Sequence, residues 1–292
     1  MTAITASMVK ELREKTGAGM MDCKKALGET NGDLEAAVDY LRTKGLAAAA
    51  KKAGRVAAEG MVADYVGNGV GVIAEINSET DFVAKNEEFQ QFTTDIARII
   101  ASENPADVDD LLQKPFGDGN TVAETLTQKI AKIGENMSIR RFNRMQGQNV
   151  ATYIHMGGKI GVIVNLNGGD GELAKDLCLH IAASNPQFLD QSSVDPEFIA
   201  REEAVFTAKA QEEGKPEKII ANIVKGQVSK RLKDVCLLNQ PFVKNPDLSI
   251  EQLLKEKGAS IVAFSRFQLG EGIEKKECNF AEEVQQQVQG LR

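Results

Sequence analysis

At 292 residues, 42% of them apolar, the chain is long enough for two or three compact units, each with its own core. A net charge of −7, no Trp and 5% aromatic residues argue against nucleic acid as the main partner, because phosphate binding needs concentrated Lys and Arg and single strands need stacking platforms. No stretch approaches the roughly 20 apolar residues of a membrane helix; residues 1–10 lack a basic start and an apolar signal core, and Cys23, Cys178, Cys236 and Cys278 form no CxxC pair, so free thiols in a mature, soluble cytoplasmic protein are expected.

Residues 5–45 predict three short helices. Met8, Val9 and Leu12 fall at helical spacing behind a cap at Thr5 or Ser7. Gly17-Ala18-Gly19 breaks that helix before a second from about Met20 to Leu27. Asn31-Gly32-Asp33 turns into a third, in which Leu34, Val38 and Leu41 share a face. A bundle this small has no room for a catalytic pocket and reads as a docking module. Residues 46–60, rich in Ala with Lys51, Lys52 and Arg55, predict a helical linker.

Strands follow. Met61 to Val66 and Val70 to Ile76 flank Gly67-Asn68-Gly69, a hairpin signal. The Gly67, Gly69, Gly71 string is no dinucleotide fingerprint, since its third spacing is wrong and a strand follows it. Helices are expected at 87–102 and 121–134, then an extended Ser138 to Met145. Val150 to His155, a turn at Gly157-Gly158, a strand and a helix begin a second copy. Asp234 to Leu238, a helix near 249–257 and a strand from Ser260 to Phe267 complete it.

The duplication is visible in the residues. Val70-Gly71-Val72-Ile73-Ala74-Glu75-Ile76-Asn77 reads like Ile160-Gly161-Val162-Ile163-Val164-Asn165-Leu166-Asn167. Each copy runs on through a helix to Asn-Pro, but Asn77 to Asn104 is 27 residues while Asn167 to Asn185 is 18. The first copy therefore carries nine extra residues around 78–86. A different insertion, 194–233, divides the second copy: Asp195-Pro196 opens a charged helix, Gly214-Lys215-Pro216 turns the chain, and a second helix runs to about Lys233. Its apolar side chains (Phe198, Val205, Ile219, Ile220, Ile223, Val228) are too few and one-sided for a domain, so the hairpin should bury them against another copy of itself or pack back on its own domain. The expected class is α+β: an N-terminal three-helix bundle, a duplicated α/β core with antiparallel sheets, and a helical-hairpin insertion.

Catalytic and metal chemistry is sparse. GxxxxGK[ST], HExxH and GxSxG are absent. His155 and His180 are the only histidines and have no matching ligand motif, so neither a metal site nor a cofactor is expected. Cys178 and His180 point apart on a helix. The 78–86 segment keeps two readings open. Asp81 could meet a divalent ion or an amide while Phe82 wedges into a partner. Alternatively Thr80 caps a helix, Asp81 favours its dipole, and Phe82 turns into the core.

These residues resemble the bacterial elongation factor Ts family. Ile4-Thr5-Ala6 with Val9-Lys10-Glu11-Leu12-Arg13, and Thr16-Gly17-Ala18-Gly19-Met20-Met21-Asp22-Cys23-Lys24-Lys25-Ala26-Leu27, are similar to its first signature. Thr80-Asp81-Phe82-Val83-Ala84-Lys85 is similar to its second. Lys132-Ile133-Gly134-Glu135-Asn136 and Gln240-Pro241-Phe242-Val243 are further landmarks. The stretch around 103–121 is longer than the family pattern and the C-terminal tail diverges.

The resemblance implies a non-enzymatic guanine-nucleotide exchange factor for the GTPase elongation factor Tu in the bacterial cytoplasm. It implies a ubiquitin-associated-like (UBA-like) module at 1–55, core halves at 56–148 and at 149–193 with 234–270, a dimerisation hairpin at 194–233 giving a possible homodimer, and a C-terminal module at 271–292. It assigns Thr80, Asp81, Phe82 and Val83 to dislodging the GTPase's Mg²⁺. Met20, Met21 and Lys24 would set the N-terminal module on the nucleotide domain, Ile133 and Gly134 would support the first core half, and His155 and Val235 would grip another domain. The rival from the residues alone is an adaptor that binds without changing nucleotide release.

Overall fold

The computed structural model describes residues 4–117 and 119–274; Cys278 and most of the expected C-terminal module lie outside the described residues. Thr5 caps α1 (Ala6–Thr16), accepting from the Met8 amide at 3.3 Å, and Gly17 ends it in the left-handed region that glycine enters freely (φ 65). After α2 (Met20–Glu29), Asp33 caps α3 (Leu34–Lys52) by accepting from the Ala36 amide at 3.0 Å. Val9, Leu12, Cys23, Ala26, Leu27 and Ala37 form the small core of this bundle. The Ala-rich stretch continues α3 as far as Lys52, but the helix expected to 60 stops there and Glu59 and Gly60 already belong to β1.

The first core half begins with β1 (Glu59–Gly67) and β2 (Val70–Ser78), joined through Asn68 and Gly69, both at positive φ (52 and 72) as a type I′ turn demands. Then come α4 (Asp81–Ala84), α5 (Glu87–Glu103), α6 (Val108–Gln113), a hairpin of β3 (Pro115–Gly117) and β4 (Asn120–Thr121), α7 (Val122–Ile133) and β5 (Met137–Gln146). Arg42 of α3 pairs with Glu124 of α7, and Gly45 lies against Ala131, so α3 ties the bundle to this half.

The second half has β6 (Asn149–His155), β7 (Ile160–Asn167) and α8 (Gly171–Ser184), then the paired helices α9 (Pro196–Glu212) and α10 (Glu217–Val235). A hairpin of β8 (Pro241–Phe242) and β9 (Asn245–Ser249), α11 (Ile250–Glu256) and β10 (Ser260–Gln268) finish it. Asp234 and Val235 close α10, and Cys236 adds an isolated bridge to Phe188.

Both halves are antiparallel three-stranded sheets with the hairpin's second strand in the middle, ordered β1-β2-β5 and β10-β7-β6. Each has its own apolar core, built by α5 and α7 in the first and by α8 and α11 in the second. Helices α5 and α8 both end on a left-handed Asn (Asn104 and Asn185), and α7 and α11 both start in capping boxes, Thr121 with Glu124 and Ser249 with Gln252. The sheets meet through Val62, Ile73, Ile163 and Phe267. The repeated glycines explain the close approach: a Cβ on Gly71 would stand 2.5 Å from Val150, and one on Gly161 would stand 2.4 Å from Val62. Mixed helix and antiparallel sheet make the fold α+β.

The α9–α10 hairpin satisfies its apolar stripe from within. Ile220, Val224 and Val228 of α10 are buried against Ala210 and Phe206 of α9, and Phe198 packs with Val194, Val235 and Cys236 at the base. The stripe is one-sided along the chain, and in the fold α9 supplies the facing wall. Val205 and Ile219 remain exposed.

His180 is a core histidine. Its Nδ1 accepts from the Val243 amide at 3.3 Å, which leaves Nε2–H to donate to Gln240 Oε1 at 2.9 Å. Burial holds its pKa below the ordinary 6.5, against a smaller upward push from Gln240. As pH falls through about 6.5 the unfolded chain takes up a proton that the folded chain refuses, so stability drops by up to about 1.4 kcal/mol per pH unit. His180→Gln should flatten that slope in urea unfolding measured between about pH 5 and 7. An unchanged slope would assign the dependence to other groups.

Candidate functional site

The eight residues between β2 and α5 (79–86) occupy the place that three residues (168–170) fill between β7 and α8; only five of the nine extra residues therefore lie in the loop, the others lengthening β2 by one residue and α5 by three over β7 and α8. Within them Asp81–Ala84 makes a single helical turn. Thr80 stands at its cap position, yet its side chain caps nothing. Its hydroxyl donates to Glu135 Oε1 at 2.7 Å and its amide to Glu135 Oε2 at 2.9 Å. Glu79 accepts from the Asn136 amide at 2.5 Å and pairs with Arg55 at 3.4 Å, and Asn136 in turn donates to the Arg55 carbonyl at 2.8 Å. Two carboxylates, Glu79 of the loop and Glu135 beyond α7, thus stitch the loop to the segment after α7. At the far end Gln90 donates to the Ala84 carbonyl at 3.1 Å and Asn86 caps α5.

The turn divides its residues by direction, because neighbours on a helix point about 100° apart. Val83 is buried in the first-half core with Phe89 and Phe92. Phe82 points away and is 77% exposed, the most exposed large apolar side chain among those described. Asp81 bonds Lys85 Nζ at 2.7 Å, and the same ammonium lies 5.6 Å from the Phe82 ring centroid. That hydrogen bond holds the Asp81 carboxyl below its ordinary range, with further help from the Lys85 and Lys159 charges. The tip therefore presents an ionised carboxylate beside an unpacked aromatic ring. Of the two open readings, the helical turn and the outward Phe82 both hold, and the inward Phe82 is overturned because Val83 takes the inward position.

The other expected residues distribute as follows. Met20, Met21 and Lys24 are exposed on α2, whose opposite face buries Cys23, Ala26 and Leu27. Ile133 is half-buried against the first-half core, and Gly134 ends α7 in the left-handed region (φ 89) immediately before Glu135. His155 is half-buried at the end of β6, its Nδ1 3.1 Å from the Tyr153 hydroxyl. Val235 departs from expectation: it is 3% exposed, with its side chain in the cluster of Val194 and Phe198, because it belongs to the last turn of α10. Its side chain supports that region from beneath and touches no surface. Glu79 lies within the 78–86 segment and Glu135 within the 132–136 landmark, yet nothing in their residue types marks them as the pair that fastens the loop.

Among the described residues no group of three or more His, Cys, Asp or Glu could hold a metal ion, and no helix is long and apolar enough to cross a membrane. The family model described as Elongation factor TS matches residues 79–271, from this loop to just past β10. The chain belongs to the elongation factor Ts family. Its role is accordingly nucleotide exchange in translation elongation, the family acts as exchange factors rather than as catalysts, and membership implies an interaction with elongation factor Tu. The landmark at Gln240 has a structural role in this member of the elongation factor Ts family: Gln240 and Val243 lock His180, fastening the β8–β9 hairpin to α8.

Proposed function

We propose that the chain binds elongation factor Tu carrying GDP, inserts the Asp81-Phe82 turn so that Mg²⁺ is displaced, and thereby promotes GDP release for reloading with GTP. The observation that carries this reading is the outward Phe82 on a turn braced by Glu135. A GTPase holds its nucleotide through a Gly-rich loop and a Mg²⁺ bridging phosphate oxygens to side chains. An exchange factor need touch neither; it must bind the emptied state better than the filled one, and the coupling is reciprocal. Burying the Phe82 ring contributes about 1.5–3 kcal/mol, worth about tenfold to a hundredfold in nucleotide affinity.

In this reading Asp81 brings negative charge toward the Mg²⁺ site, while Thr80 and Val83 hold the turn in position. The N-terminal bundle serves as a UBA-like module that sets Met20, Met21 and Lys24 on the nucleotide domain. Ile133 and Gly134 support the first-half contact, His155 grips another domain in the bacterial cytoplasmic complex, and Val235 acts only as a support. The division into 1–55, 56–148, 149–193 with 234–270, 194–233 and 271–292 belongs to the same reading. Self-association through 194–233 would use the exposed Val205 and Ile219; a single monomeric species in sedimentation at rising concentration removes it.

The test is stopped-flow release of fluorescent GDP from elongation factor Tu in excess unlabelled nucleotide. Release should quicken as the chain's concentration rises. Binding without quickening would make the protein an adaptor and refute the exchange reading.

A further inference from the structure

Among the described residues the three most exposed large apolar side chains are Phe82, Met21 and Met156, at 77%, 73% and 70%. The first two already belong to the proposed partner surface. Met156 does not, and its backbone makes it the odder of the three.

Five described non-glycine residues have positive φ: Asn31, Asn68, Asn104, Asn185 and Met156. Asn tolerates the left-handed region because its short polar side chain can bond locally, whereas Met has no such compensation. The chain therefore uses Asn wherever it needs this conformation without glycine, except at Met156 (φ 50). Gly157 and Gly158 follow at φ 63 and 95, so the turn is built to be left-handed and Met156 is the strained member. Strain of this kind persists at sites where a side chain has work beyond the fold.

The turn stands beside the Phe82 helix. Gly158 accepts from the Val62 amide at 2.8 Å, and a Cβ on it would lie 2.7 Å from Met61 Cβ. Lys159 pairs with Glu59 at 2.9 Å and its charge reaches Asp81. Met61, next to Val62 on β1, packs in the same core as Val83 and Ala84 of α4. The start of β1 thus carries both α4 and the β6–β7 turn, so Phe82 and Met156 belong to neighbouring segments.

We infer that Met156 is a second apolar contact to elongation factor Tu, reaching the GTPase between the surfaces that meet Phe82 and His155. This rests on the exchange reading above. An unbranched, polarisable side chain suits a surface that shifts during exchange, since it adapts to irregular gaps and packs well on aromatic rings.

Met156→Asn and Met156→Gly keep the left-handed turn and remove the apolar reach. In the GDP-release assay at sub-saturating concentration, both should quicken release about tenfold less than the unaltered chain, the effect of losing about 1.4 kcal/mol of contact. Met156→Leu should stay within about twofold of it. The melting temperature of the free protein should hold or rise in the Asn and Gly variants. Unaltered release in both, with Phe82→Ala impaired alongside, overturns the Met156 contact and leaves the exchange reading standing. Unaltered release in Phe82→Ala as well removes the wedge itself. A lowered melting temperature in both variants also overturns the inference, because it would assign Met156 to the fold.

Discussion

Phe82→Ala is expected to leave the free protein's melting temperature within a degree or two while reducing its acceleration of GDP release at least about tenfold. The asymmetry follows from where the ring is. Phe82 is 77% exposed and contributes nothing to the core, so truncation removes no buried contact, and surface changes of this kind stay within about 0.5 kcal/mol. Ala is also the better helix former, so α4 loses nothing locally. Val83 keeps its burial and Thr80 keeps both bonds to Glu135, so the turn stays in position without its tip. On the partner the loss is the whole burial of a Phe ring, about 1.5–3 kcal/mol. If that energy is realised mainly in the nucleotide-depleted complex, release should suffer more than binding to the GDP-loaded GTPase. Equal losses in both would make Phe82 an ordinary anchor, and no loss would remove it from the mechanism.

The duplication was legible because two eight-residue strings keep both apolar pattern and glycine position, and because both long helices end on Asn-Pro. A longer repeat was also there to be read. Pro115-Phe116 and Pro241-Phe242 open equivalent hairpins ahead of equivalent boxed helices. Strands of two or three residues have no periodicity to detect, and α6, at six residues, is too short to show a helical stripe. At the loop, residue types alone could not say whether Phe82 or its neighbour faces inward. A shift of one position on a helix decides it, and the deciding contacts, Glu135 to Thr80 and Val83 to Phe89, cross from other segments. The role that the resemblance implied for Val235 had no support in the local residues, because 234–238 reads as apolar whether it ends a helix or begins a strand. The stripe of the α9–α10 hairpin was legible, but its facing wall was not, because Phe206 and Ala210 sit at unremarkable positions of a charged helix.

A large loss of stability is expected at Glu75, which joins the two halves from a fully buried position in the middle strand of the first sheet. Its carboxylate receives Arg140 at 3.0 Å, Arg141 at 2.6 Å, the Gly270 amide at 2.8 Å and Asn77 Nδ2 at 3.2 Å. Both arginines also reach past it: Arg141 donates to the Gln268 carbonyl, pairs with Glu271 and lies 4.4 Å from the Phe267 ring centroid, and Arg140 donates to the Glu271 carbonyl. One carboxylate of the first half thus gathers the strand end of the second. Burial pushes its pKa up, but the Gly270 amide and the two guanidinium groups outweigh burial and hold it below 4.5. Glu75→Ala leaves the Gly270 amide unpaired and the two cations facing a void. The cost should be about 3 kcal/mol, the low end for a broken buried pair because both arginines can still turn to water. Glu75→Gln keeps the shape and isolates the charge. A carboxyl with a depressed folded pKa lends stability above about pH 4.5 that is lost as pH falls through the folded value, so in Glu75→Gln this part of the acid limb of unfolding should disappear. Denaturant melts at neutral and acid pH test both statements; a Glu75→Ala loss under about 1 kcal/mol would mean that apolar contacts between the sheets suffice. Because Phe82 hangs from one half and His155 from the other, a loosened joint should also weaken partner binding at temperatures where each half remains folded.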